Sequence, residues 1–265
     1  MKMHGAFDIT LTNLALGYLL LAIPLAILIY YKTGLAKDTV IAVVRMTIQL
    51  FLVGFYLKYV FLWDKWWLNV LWALIMIFVA TITVGRRANM KKSLFIIPIF
   101  TALLTAMFIV DFYFLGVVLR LDNLFSARYF IPITGMIMGN CMRSNVIALS
   151  TFYKGLNKER TLYRFLIANG ATKEEALLPF MRDSLKVAFN PMIANTAVMG
   201  LISLPGMMTG QILGGSSPDI AIKYQIMLMI TIFVASTLTV FLTIKIVNLI
   251  VFDKYDRLKN YYFNF

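Results

Sequence analysis

The stretch RTLYRFLIANGATKEEALLPFMRDSLK, residues 160–186, is the longest charged interruption in a chain otherwise built of apolar runs of membrane-spanning length. It lies inside a larger unit, 130–215, made of an apolar span, this charged segment and a second apolar span. Gly170 follows the helix-favouring run 161–169, where a glycine can take the left-handed conformation that closes a helix. Thr172 with Glu175 three residues later is a capping box that starts a second helix. Pro179 bends that helix early, and Pro191 adds a second irregularity where the chain re-enters the bilayer. The segment reads as helix, glycine turn, helix, held at the membrane face. The same local pattern also fits a plain solvated connection.

Composition points the same way. With 61 % hydrophobic residues and a mean hydropathy of +0.82 over 265 residues, the chain has too little polar surface to cover a soluble domain. It reads as an all-α, polytopic membrane protein, 1–265 forming a single transmembrane domain. The excess of 25 Lys and Arg over 12 Asp and Glu sits in short connections between apolar runs, which is an orientation signal and not a nucleic-acid surface. One cysteine, Cys141, excludes an intrachain disulfide and reads as a small packed side chain. The single histidine, His4, leaves no multi-histidine metal site, and the metal ligands, if any, are unknown from sequence. GxxxxGK(S/T), HExxH and GxSxG are all absent, so no catalytic residue is assigned and energy comes from a partner or a gradient.

Seven apolar runs are expected to span: 11–31, 39–61, 68–84, 94–119, 129–152, 187–202 and 220–252. The first lacks a basic leader and a small-residue cleavage site, so it reads as a retained span, kinked at Pro24. Trp66 and Trp67 suit a membrane interface, while Arg86, Arg87, Lys91 and Lys92, with no acid among them, mark a cytoplasmic connection. Alternation from that anchor puts the N-terminus outside and the C-terminus in the cytoplasm. It also makes 153–186 a cytoplasmic hairpin between the fifth and sixth spans. The last run is too long for one perpendicular span, so it tilts or emerges as a helix before the tail KYDRLK.

Polar residues inside spans are candidates for a pathway or for structural pairing. Arg45 and Gln49 share a helix face; Arg45 either snorkels to the headgroups or joins Gln49 in an internal polar pair. Asp111 pairs with a base such as Arg120 or Arg128, or marks a pathway mouth. Arg143 either meets Asp183 or faces a headgroup. Gly135 and Gly139 form GxxxG, which allows a close helix contact. Met136, Met138, Met142, Met192, Met199, Met207 and Met208 cluster around the fifth and sixth spans, as core filler or as soft ligands. Asn140, Asn145, Asn190 and Asn195 offer oxygen and nitrogen donors or cross-helix hydrogen bonds. Leu204, Pro205 and Gly206 break the sixth span near the outer face, as a gate or as a turn into a loop.

The GAT, EA and Arg182-Asp183-Ser184 order after a short helix resembles the cytoplasmic coupling segment of ABC permeases, although Arg164, Phe165 and Leu166 stand where that loop has Glu, Ala and Ala. More specifically, GMIMGN at 135–140, NGATKEEA at 169–176, RDSL at 182–185, GLISLPGMMTGQILGG at 200–215 and AIKYQIM at 221–227 resemble the FetB-like iron-export ABC permease family, related to plant aluminium-tolerance permeases. Arg45 to Gln49 with Leu50 and Gly54 matches that family's second span.

The resemblance implies a permease that binds no cofactor itself and pairs with a separate ATP-binding subunit carrying ATP-Mg. Two permeases would join two ATPases in the cell inner membrane, exporting iron or a related metal species and conferring oxidative stress resistance. It places coupling at Arg164, Asn169, Gly170, Ala171, Thr172, Glu174, Glu175, Ala176, Arg182 and Asp183. The pathway or gate falls to Arg45, Gln49, Met136, Asn140, Asn195, Pro205, Gly206, Met207 and Met208. The rival expectation is a self-sufficient channel or secondary carrier for a metal ion or small solute.

Overall fold

Lipid cannot hydrogen-bond to the backbone, so an apolar run must satisfy its own N–H and C=O groups as a helix. The computed structural model describes residues 9–90, 92–253 and 256–258; His4, Lys91 and the tail residues Lys254, Tyr255 and Lys259 lie outside them. Among the described residues the chain is helical, with two isolated β-bridges, Met199 to Ser203 and Phe252 to Leu258.

The helices are α1 Leu11–Tyr18, α2 Ala22–Tyr30, α3 Ala36–Trp63, α4 Trp66–Arg87, α5 Lys92–Phe112, α6 Ala127–Lys158, α7 Arg160–Ala168, α8 Lys173–Ala197, α9 Gly206–Leu213 and α10 Pro218–Val251. A 3₁₀ turn, Leu19–Leu21, joins α1 to α2 just before Pro24, whose ring nitrogen cannot complete the helix ladder. A π-helical turn, Tyr113–Val118, ends the α5 rod.

Five stretches are long and apolar enough to cross a membrane: Leu11–Tyr30, Ala36–Trp63, Trp66–Arg87, Phe95–Val118 and Pro218–Val251. This is a multi-pass membrane protein. Helices α6 and α8, at 32 and 25 residues, are also long enough but more polar, α6 through Asn140, Arg143 and Asn145 and α8 through the charges of its first half.

The core is a bundle of α4, α5, α6, α8 and α10, with α6 in contact with each of the others. Helix α4 buries Ala73, Ile77, Ala80 and Val84 at helical spacing, and α10 buries Leu228, Ile232, Ala235, Thr239 and Thr243. Helices α6 and α10 meet where Cys141 and Asn145 face Ser236 and Thr239, mostly small residues that let membrane helices approach closely. Helices α1 to α3 form a flanking arm in which only Val60 is buried.

Three features differ from the sequence expectations. Helix α8 runs unbroken through Lys186, so the second hairpin helix and the sixth span are one rod; Pro179 and Pro191 each remove one ladder bond without ending it. That rod stops at Ala197, short of residue 202, because the chain turns at Gly200, whose φ is 87°. Asp111 makes no ion pair among the described residues: its Oδ2 accepts a 2.9 Å hydrogen bond from the Thr134 hydroxyl, and Arg120 and Arg128 are exposed.

The ends of the bundle are tied separately. Asp64, at φ 35°, accepts through Oδ1 from the Ala127 amide at 2.7 Å and from the Asn69 side chain at 3.2 Å, so the α3–α4 turn caps α6. Asn69 also donates to the Phe125 carbonyl at 2.7 Å. These two connections therefore share one side of the bundle, as alternation requires. Asp64→Ala is expected to lower stability by about 1 kcal/mol through loss of the cap, read as a lower midpoint of thermal unfolding in detergent.

Candidate functional site

At one end, helix α7 hangs from α6 with only Glu159 between them. Its Tyr163 is buried, the phenol donating to the Asp256 carbonyl at 2.8 Å and the ring lying 5.8 Å from that of Phe252. Burial first, then the Asp256 and Asp253 charges, push the Tyr163 phenol up to about 12. The opposite face leaves Leu162 and Phe165 exposed, at 40 % and 62 %.

The α7 end is a Schellman turn: Ala171 N–H donates to the Leu166 carbonyl at 3.0 Å and Gly170 N–H to that of Ile167 at 3.1 Å, with Gly170 at φ 88°. Asn169 reinforces it by donating to the Phe165 carbonyl at 2.7 Å. Helix α8 then opens with the capping box foreseen: Glu175 N–H donates to Thr172 Oγ1 at 3.3 Å and Thr172 N–H to Glu175 Oε2 at 2.8 Å.

This hairpin is latched to the far end of α10. Lys245 pairs with Glu174, Lys173 lies 3.2 Å from Asp256, and the Lys173 ammonium sits 4.2 Å from the Phe252 ring centroid. The hydrogen bond from Lys245 holds the Glu174 carboxyl below its ordinary range, and the Thr172 amide does the same for Glu175. Depressed carboxyls stabilise the fold above their ordinary range, and that contribution fades on acidification through the lowered values. Ala176 is fully buried, whereas Arg164, Arg182 and Asp183 are exposed.

At the other end, a cavity of about 860 Å³ opens between the end of α8, residues 198–205, α9 and α10. Thr196, Met199, Pro205, Met208, Gln225 and Met229 face it among mostly apolar walls. Gln225 is 6 % exposed and its Oε1 has no hydrogen-bond partner, a buried acceptor available to a donor in the cavity. Pro205 and Met208 of the expected pathway set line this space, with Gly206 and Met207 beside them on α9.

The other expected pathway residues lie elsewhere. Asn195 is exposed on the last turn of α8. Asn140 donates back to the Met136 carbonyl at 2.9 Å within α6. Arg45 and Gln49 are exposed on α3 beside a shallow surface groove. A methyl group placed on Gly135 would lie 3.6 Å from the Met76 sulfur, an ordinary contact, and Gly139 faces open space, so GxxxG makes no tight contact inside the chain. Arg143 is exposed on the same helix and, like Asp183, makes no ion pair among the described residues.

Sequence reading passed over Gln225 and Met229, although the AIKYQIM block that carries Gln225 was a signal for it. It also left out Leu162, visible only once the buried face of α7 is known. Among the described residues no three His, Cys, Asp or Glu side chains come together as a metal site.

The family model described as an uncharacterised protein family, UPF0014, matches residues 11–252. The chain belongs to the UPF0014 family. Its similarity extends to the UPF0014 membrane protein YjkA of Bacillus subtilis, 30 % identical over 86 % of this chain and 89 % of the relative. The "Probable iron export permease protein FetB" of Escherichia coli is 35 % identical over 82 % of this chain and 83 % of its own length. Protein ALUMINUM SENSITIVE 3 of Arabidopsis thaliana is 32 % identical over 79 % and 76 %. No solved structure matches the chain.

The cavity makes a labelling prediction for this UPF0014 protein. In a Cys141→Ser background, Met208→Cys and Gln225→Cys should react with a small membrane-impermeant thiol reagent, while wild-type Cys141, fully buried, should not. Mass spectrometry of the labelled chain checks both.

Proposed function

We propose that this UPF0014 protein is the permease subunit of an ABC transporter, moving iron or a related metal species out of the cytoplasm with ATP hydrolysed by a separate subunit. The observation that carries the reading is the α7–α8 hairpin: a short amphipathic helix with Leu162 and Phe165 exposed, a rigid Schellman turn, and a salt-bridged latch to α10. A solvated connection needs none of these. An exposed apolar pair on a helix fixed from behind suits a groove in a partner domain.

In this reading the hairpin and the C-terminus are cytoplasmic and the N-terminus is outside, in line with Arg86 and Arg87 at the same end of the bundle as α7. Closure of the ATPase pushes α7; α6 and α8 move with it because α7 joins one and the Gly170 turn joins the other. The chain itself catalyses nothing and holds no cofactor, ATP-Mg belonging to the partner. The iron assignment is supported by the printed name of the Escherichia coli relative and by no ligand cluster among the described residues. Two permeases with two ATPases form the working unit, a second copy covering the polar faces that one chain leaves open, Arg45 with Gln49 on α3 and Gly139 with Arg143 on α6.

The test is gentle purification of the tagged protein, identification of a stoichiometric ATPase, and hydrolysis and transport with and without Fe(II). Gly170→Arg forces a side chain into the left-handed region at a cost of about 1–2 kcal/mol and should cut transport about tenfold or more while the partner still hydrolyses ATP. Phe165→Glu should release the ATPase altogether. Substrate flux through the chain alone in vesicles would sink the proposal in favour of a channel or secondary carrier.

A further inference from the structure

Beneath the end of α6, a small cleft of about 60 Å³ is enclosed by α6, α7 and the returning tail. A buried water needs about 10–15 Å³ of such space, so the cleft has room for a few waters or for one tetrahedral oxyanion. Its polar lining is strongly basic: Arg160, Arg164 and Arg257 against Asp256. The nearby acids are already engaged, Asp256 by Lys173 at 3.2 Å and Asp253 by the Arg257 Nε at 3.0 Å.

Arg160 and Arg164 thus stand one turn apart on α7 with no acidic partner among the described residues, a spacing at which like charges repel. The Arg160 Nε is buried and without a hydrogen-bond partner. Burial and then the Arg164 charge hold the Arg160 guanidinium below its ordinary value. Two arginines lining one cleft, one with a buried unfilled donor, have the chemistry that an oxyanion completes, since an arginine fork matches phosphate oxygens in pairs.

We propose that this cleft binds a phosphate group, either the headgroup phosphate of an anionic inner-leaflet lipid or free phosphate. The remaining walls, Leu156, Ile167 and Leu258, are apolar, which suits the neck of a lipid beside its charge. The level allows it as well: Arg160 lies eight residues beyond Phe152, the end of the apolar run, about 12 Å along a helical path, a few Å past a headgroup layer about 5–7 Å thick and within the span that a long arginine side chain bridges. The bound phosphate fastens the root of α7 to the bilayer face, and it does so whether or not an ATPase docks on α7.

The experiment uses the full chain, purified in mild detergent and stripped of lipid. Thermal unfolding is followed against short-chain phosphatidylglycerol, inorganic phosphate, and phosphatidylcholine as the zwitterionic control. A saturable rise in Tm is expected with phosphatidylglycerol, and Arg160→Gln or Arg164→Gln should raise the half-saturating concentration about tenfold or more, the worth of a charge-assisted hydrogen bond. Arg164→Gln changes an exposed side chain and keeps the test open should Arg160→Gln not fold. Saturation by inorganic phosphate at similar concentrations assigns the site to the free ion; a response to phosphatidylglycerol alone assigns it to the lipid. No saturable response to either in wild-type protein, or one untouched by the Arg164 substitution, overturns the proposal. So does a variant that keeps its phosphate response and loses the ATPase instead, which would make the cleft a seat for a partner's carboxylate.

Discussion

The structure depends on the seam between α6 and α10. In lipid there is no hydrophobic drive to bring two helices together, because acyl chains are as apolar as leucine; close packing and cross-helix hydrogen bonds must do it. The seam supplies both. Small residues let the backbones approach, and Asn145 donates to Thr239 Oγ1 at 3.0 Å and to the Cys141 carbonyl of its own helix at 2.8 Å. A second link nearer the α7 end, Tyr153 to Asn248 at 2.8 Å, keeps the two helices in register. An amide costs free energy in an apolar interior unless bonded, so the two bonds that occupy the Asn145 Nδ2 donors also fix which faces of the two helices meet.

That seam connects the two ends of the molecule. Helix α10 is 34 residues long, with Gln225 at the cavity and Lys245 at the hairpin latch, about 30 Å apart at the ordinary helical rise. Helix α6 carries α7 at its end. A displacement of the hairpin therefore reaches α10 twice, through the Lys245 and Asp256 contacts and through the seam. The hairpin and the cavity also share α8, a single rod from the capping box at Thr172 to the edge of the cavity at Thr196. Rigid elements with two arrangements are what mechanical coupling requires, and here each element is a continuous helix.

Much of this was legible in the sequence because membrane helices write themselves in composition. Run lengths gave the helices, and the spacing of Gly170, Thr172 and Glu175 gave the turn with its caps, since these are local rules that tertiary contacts did not override. What stayed hidden was non-local. Pro179 suggested a bend and Pro191 an irregularity at the start of a separate span, yet one helix, with Ala176, Phe180, Ser184 and Ala188 buried along it, continues through both. Asp111 read as the partner of a base or as a pathway mouth, on the strength of its charge, whereas Thr134, a residue without formal charge, is the neighbour that the helix contact provides. The cavity could not be read either. Its walls come from four segments, and the buried amide of Gln225 looks in sequence like any polar residue near a helix start.

The same burial pattern argues about assembly. Lipid readily covers exposed Leu, Ile and Phe, so the bare arm of α1 to α3 needs no protein partner on that account. Polar groups are different. Gly139 and Arg143 are exposed on α6, the helix most surrounded by others, and Arg143 lies near the middle of its length. From that depth a guanidinium reaches the headgroups less easily than Arg45 does from the first third of α3, and leaving it against acyl chains costs several kcal/mol or about 3 on insertion scales. The uncovered α6 face is thus more demanding than the α3 face. An aqueous pathway or a second copy against Gly139, whose missing side chain leaves room for a close approach, removes that cost. A pathway bordered by that face would present a positive charge and amide groups rather than carboxylates. Such a lining binds a metal cation weakly, and weak binding is what lets a transported species leave.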